Sequence, residues 1–204
     1  MIRTSTRQSV PVDVAQLMVE QGGVVARRQA LAAGLGDADV DALVADGTWA
    51  PVHDGVYVAH RDPLSWHERA WVAVLAVWPA ALTHESALRA AEGPGRRGRD
   101  ETLVHVAVAR GRMVTAPEGV VVHHLHKFDP RVSWESGPPR MRYEEAIVDL
   151  LADAPTDEDA IALLLDTCRG RGTTAALVRA ALARRTRHPR RRLVNRTLDG
   201  LAPR

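Results

Sequence analysis

The chain has 204 residues, 46% hydrophobic and 25% charged, with a formal net charge of +2. That composition excludes wholesale disorder, and the longest apolar stretch, Ala70 to Trp78, is too short to span a bilayer. The single cysteine, Cys168, excludes an intrachain disulfide, and MIRTSTRQSV lacks the apolar core of a secretory signal, so a soluble cytoplasmic protein with no membrane partner is expected.

The first sixty residues predict three short helices and a hairpin. Val14, Leu17 and Met18 fall on one face of a helix over Val12 to Glu20, which Gly22-Gly23 ends. Val24-Val25 is a short extended link, and Arg28 to Ala33 is a second helix whose cap position, Ala26, offers no side-chain acceptor. Asp37 is expected to cap a third helix over Ala38 to Ala45, with Val40, Leu43 and Val44 inward. Trp49 to Val52 and Val56 to Val58 flank His53-Asp54-Gly55, a sequence suited to a tight hairpin. This order is that of a winged helix-turn-helix, in which the third helix enters the major groove of DNA.

That helix is acidic. Asp39, Asp41 and Asp46 lie on it or at its end, and no Arg or Lys occurs between Asp37 and Trp49. Carboxylates repel phosphates, whose neutralisation dominates duplex affinity. Cations for DNA must therefore come from elsewhere. The candidates are Arg3 and Arg7 on an amino-terminal arm, Arg27 and Arg28 at the second helix, and His53 on the wing.

Beyond residue 60, Ser65 predicts a cap for a helix running to Trp78, apolar on both sides and thus expected between layers. His84 to Ala91 is a further helix, and GPGRRGRD is a loop with Arg96, Arg97 and Arg99. Leu103 to Ala109 and Val120 to His126 read as strands. On the second, His124 and His126 share a face and His123 points oppositely; with no Cys or carboxylate at ligand spacing they make a poor metal site, and no metal or cofactor is expected.

In the last third, Arg142 to Ala152 reads as a helix with Ile147, Leu150 and Leu151 inward and Glu145, Asp149 and Asp153 as a solvated row. Helices over Asp157 to Thr167, Thr174 to Arg187 and Arg190 to Leu198 follow. Residues 168–204 hold eleven arginines against Asp199 alone. Arg184, Arg185, Arg187, Arg190, Arg191 and Arg192 are candidate phosphate contacts, the other reading being a solvated arginine face.

The run GGVVARRQALAAGL followed by DVDALVADGTWAPVHDGVYV resembles the amino-terminal winged helix of the AbiE-type antitoxins of type IV toxin–antitoxin systems, and the likeness continues through ALTHESAL, HVAVARGR and EGVVVHH. The resemblance implies an antitoxin that binds its own promoter as an autorepressor. Its cognate toxin would be a functional partner, not necessarily a physical one. Similar front halves occur in longer proteins ending in a nuclease resembling very-short-patch-repair endonucleases, so a non-catalytic fragment of such a fusion is an alternative. A protein-interaction module without DNA binding is another.

No phosphate loop, nucleophile elbow or H-E-x-x-H pattern is present, and no enzyme activity is expected. The expected fold is α+β: a winged helix-turn-helix over 1–60, then a mixed sheet-and-helix domain over 61–204.

Overall fold

The computed structural model describes residues 10–93, 102–170 and 173–201. The fold is α+β, with two small sheets and helices packed on both.

The first unit begins with α1 (Val12–Glu20), β1 (Val24–Ala26), α2 (Arg27–Ala32) and α3 (Asp37–Ala45), followed by β2 (Ala50–His53) and β3 (Val56–Val58). The expected link at Val24-Val25 is a true strand. It pairs antiparallel with β3, which also pairs with β2, in the order β1-β3-β2. The hairpin turns at Asp54-Gly55, where Gly55 has φ +63°, a conformation that costs glycine no Cβ clash. Val14, Val25, Ala30, Val40, Leu43 and Trp49 form the unit's core, with Trp49 stacked on Tyr57.

One cap differs from expectation and one agrees with it. Gly36, not Asp37, occupies the cap of α3, and its N–H donates to Asp39 Oδ2 at 2.8 Å. Ala26 indeed provides no side-chain cap for α2, but Gln29 Oε1 accepts the Ala26 N–H at 3.0 Å.

Ser65 caps α4 (Trp66–Ala76), and Glu68 reciprocates by accepting the Ser65 N–H. As expected of a helix apolar on both sides, α4 lies between two cores. Trp71, Val72 and Leu75 pack with Val24, Ala26, Val56 and Val58 of the first sheet. Ala70, Ala73, Val74 and Val77 belong to the larger core of the second unit. A boundary at residue 60 therefore separates the first sheet from the helix that covers it.

The second sheet contains β4 (Ala81–Leu82), β5 (Val104–Ala109), β6 (Val120–Leu125), β7 (Val132–Ser133) and β8 (Arg140–Met141), ordered β6-β5-β4-β8-β7. β5 and β6 run parallel over six residue pairs, Val104↔Val120 to Ala109↔Leu125. Helices α5 (His84–Glu92), α6 (Tyr143–Asp153), α7 (Asp157–Arg169), α8 (Ala175–Ala183) and α9 (Arg191–Leu201) complete the unit. Thr156 and Thr174 cap α7 and α8 by accepting N–H bonds from Asp159 and Leu177. The second core joins Leu82, Leu88, Val106, Ile147, Leu151, Leu164, Leu182 and Leu198.

Candidate nucleic-acid interface

Helix α6 carries the centre of the site. Its apolar side is inward as expected, but Glu145 and Asp149 are not a solvated row. Glu145 is among the most buried side chains of the protein, and Asp149 is mostly covered. The covering groups are arginines brought from other elements. Arg131, from the short 3-10 turn before β7, donates through Nε to Glu145 Oε2 at 3.0 Å and also pairs with Asp149. Arg184 reaches Glu145 Oε1 at 2.6 Å, and Arg185 bridges Glu145 Oε2 at 2.6 Å and Asp149 Oδ1 at 2.9 Å.

Three guanidinium groups thus meet two carboxylates. Burial alone would raise the Glu145 carboxyl above its ordinary value; the hydrogen bond from Arg184 and the charges of Arg185 and Arg131 outweigh it and hold the group low. Glu145 therefore stays ionised, and the cluster keeps one positive charge in excess.

This cluster floors a groove of about 840 Å³. Its walls add Lys127 and Arg187, together with His124, His126 and His188. Lys127, Arg187 and His124 are exposed, with no hydrogen-bond or ion-pair partner among the described residues. His126 meets Arg110 at 2.7 Å. With His neutral, the lining has five cations against two carboxylates. A positive concave surface of this kind attracts a phosphate backbone.

The other arginines expected to meet DNA divide by what their side chains already hold. A helix leaves its last carbonyls without intrahelical partners. Arg28 donates to Leu75 O at the end of α4, with its guanidinium 5.3 Å from the Trp78 ring. Arg190 donates to Leu151 O and Ala152 O at the end of α6, and pairs with Asp157. Arg191 donates to Leu182 O and Arg185 O after α8. Each places a cation at the negative end of a helix. Arg192 is exposed and has no such partner among the described residues. His188 also serves the backbone: its Nε2–H donates to Val148 O while Nδ1 accepts the Arg190 N–H.

In the first unit, Arg27 is held by Asp37 at 2.7 Å and Asp41 at 2.9 Å. Hydrogen bonds to Tyr57, Asp41 and Asp37 push its guanidinium above the ordinary arginine value. These contacts give the acidic helix local work: Asp37 and Asp41 anchor α2 to α3, Asp39 caps, and Asp46 accepts the Thr48 N–H. His53 sits on β2, partly buried, beside the turn. Arg3 and Arg7, and the loop arginines Arg96, Arg97 and Arg99, lie outside the described residues.

The groove brings together Arg184, Arg185 and Arg187 and does not include Arg27, Arg28 or His53. Sequence reasoning missed Lys127, Arg131, Glu145 and Asp149 as parts of it. A four-residue acidic spacing on α6 matched by adjacent arginines at 184 and 185 was the available signal. Burial pushes the Cys168 thiol up, against a smaller lowering by its hydrogen bond with Thr167.

The strand histidines divide as their alternation predicts. His124 and His126 face the groove, whereas His123 turns inward to His105 and His84. Burial first, and then the neighbouring His84 and His105, push His123 down to about 4.

No protein-family model and no curated protein matches this chain. Among solved structures, it is similar to the RV2827C protein from Mycobacterium tuberculosis, with 16% identity and a TM-score of 0.50 over 94% of this chain and 78% of that one. At that identity the likeness concerns the fold.

Proposed function

We propose that the protein is a DNA-binding antitoxin that represses its own operon, and that it holds duplex DNA chiefly by the groove beside α6 and α8. The observation that carries this reading is the excess of positive charge along the groove lining. The order α1-β1-α2-α3-β2-β3 supports a winged helix, and the motif resemblance supports the antitoxin role. The acidic α3 then supports the fold and does not read bases, and the toxin is a functional partner. Repression requires occupancy of the promoter and no chemistry.

The test is a gel shift of the full chain on duplex DNA from its own upstream region, titrated with salt. About three neutralised phosphates give a slope of log affinity against log salt near −3. A retarded species at low salt that is lost along such a slope is the expected result. No retarded species at low salt overturns the reading.

One observation favours a second reading. Residues 10–60 hold two arginines against seven carboxylates, a balance suited to a basic protein surface. In that case DNA fails to bind while a basic partner does, and neutralising the carboxylates of α3 abolishes the interaction.

A further inference from the structure

We propose that His84, His123 and Asp153 form a binding site for a divalent transition metal, with zinc as its natural occupant. The three come from distant stretches of the chain: the first residue of α5, the middle of β6 and the last residue of α6. One ligand atom from each lies within 4.8 Å of the other two. His84 Nε2 and Asp153 Oδ2 are already 3.0 Å apart. In a tetrahedral site with bonds of about 2.05 Å, ligand atoms stand roughly 3.3 Å from one another, so closure from within 4.8 Å is a movement of about 1.5 Å at most. The His84 and His123 rings stack with their centroids 3.9 Å apart, so the two imidazoles already stand side by side.

The surroundings suit such a site. His105 Nδ1 lies 3.0 Å from His123 Nε2, an outer partner that fixes ring orientation and tautomer and leaves Nδ1 of His123 for the metal. Thr83 Oγ1 lies 3.2 Å from His84 Nδ1 and fixes that ring in the same way. His84 is buried and holds φ at +50°, a left-handed conformation unusual for a residue with a Cβ. Asp153 is 63% exposed, which gives the ion a path from solvent and leaves room for water as a fourth ligand. Two imidazoles and a carboxylate are a donor set that zinc accepts and that magnesium and calcium, which prefer oxygen, do not. A bound ion ties α5, β6 and α6 together beside the groove wall formed by His124 and Ala152.

The experiment uses the full chain without a histidine tag, stripped with chelator and then loaded with Zn²⁺ or Co²⁺. About one equivalent of Zn²⁺ retained through gel filtration, a visible Co²⁺ spectrum of low coordination number and a raised Tm are expected. Asp153→Asn and His123→Gln each lower affinity at least tenfold, and His105→Gln lowers it about tenfold. The double variant His124→Gln/His126→Gln binds as the parent does. Asp153 is exposed, so its variant remains informative if His123→Gln fails to fold. Retention well below one equivalent, unchanged affinity in Asp153→Asn, or loss confined to the His124/His126 variant overturns the site.

Discussion

Arg131 Nε donates to Glu145 Oε2 at 3.0 Å, with 9% and 2% of the two side chains exposed. A charge pair this deep is costly to break from one side, because the partner is left buried and uncompensated. Glu145→Gln is expected to destabilise the protein by about 3 kcal/mol, measured by urea unfolding. The carboxyl is held below its ordinary value of 4.5, so its contribution is present above that pH and lost as pH falls through the lowered value. The difference between parent and variant should therefore shrink below pH 4.5. A difference that does not vary between pH 7 and pH 3 would show that Glu145 carries no charge in the fold.

The groove reading separates arginines by position. Charge reversal at the groove-lining Lys127 and Arg187 should weaken duplex binding and flatten the salt slope by about one per lost phosphate contact. Arg27→Gln, whose parent side chain is occupied by Asp37 and Asp41, should leave the slope unchanged. If instead Arg27→Gln flattens the slope and the groove variants do not, the interface lies on the first unit. Arg185 and Arg191 are poor choices for this purpose, since reversing them also removes bonds that hold α6 and α8.

Arg28→Ala removes the bond to Leu75 O and the contact with Trp78. The expected cost is about 2 kcal/mol by chemical denaturation, from a charged hydrogen bond and a cation–π contact. Duplex affinity at saturating fold stability should not change. A variant as stable as the parent would mean that the end of α4 needs no donor from α2.

His60 Nε2 lies 2.5 Å from Glu68 Oε1. The hydrogen bond to Glu68, together with the charges of Glu68 and Asp62, raises the imidazole above its ordinary 6.5 despite partial desolvation. A raised basic group stabilises fully below its unfolded value, and that contribution disappears as pH rises through the folded value. Parent and His60→Gln should thus differ most in Tm at pH 5.5–6 and converge as pH climbs above about 6.5. Convergence in the opposite direction would contradict the pairing.

The helices were largely legible because their signals are local. Ser65 sits where a cap is expected, Thr156 directly before an expected helix and Thr174 at the first residue of one, and each side chain accepts the N–H three residues on. The hairpin at Asp54-Gly55 was legible for the same reason. The two-residue strands β4, β7 and β8 were not, since Leu82 pairs with Arg140 across a long stretch of chain and neither residue carries a mark of it. The acidic spacing of Glu145 and Asp149 is identical on a wet helix and on one covered by arginines; only the return of residues 184 and 185 decides between them. In the same way, the sequence displays the charge of Arg190 and Arg191 but not the carbonyls that occupy them. Alternation along the strand places His123 opposite His124, yet its companions His84 and Asp153 come from helices that no spacing rule connects to β6.

Because α4 walls both cores, the segments before and after residue 60 share material that neither owns alone. Recombination at that point would strand Trp71, Val72 and Leu75 without cover on one product and open the first sheet on the other. A chimera meant to exchange the leading module has to carry α4 across with it, and its new seam then has to be refitted against Ala73, Val74 and Val77.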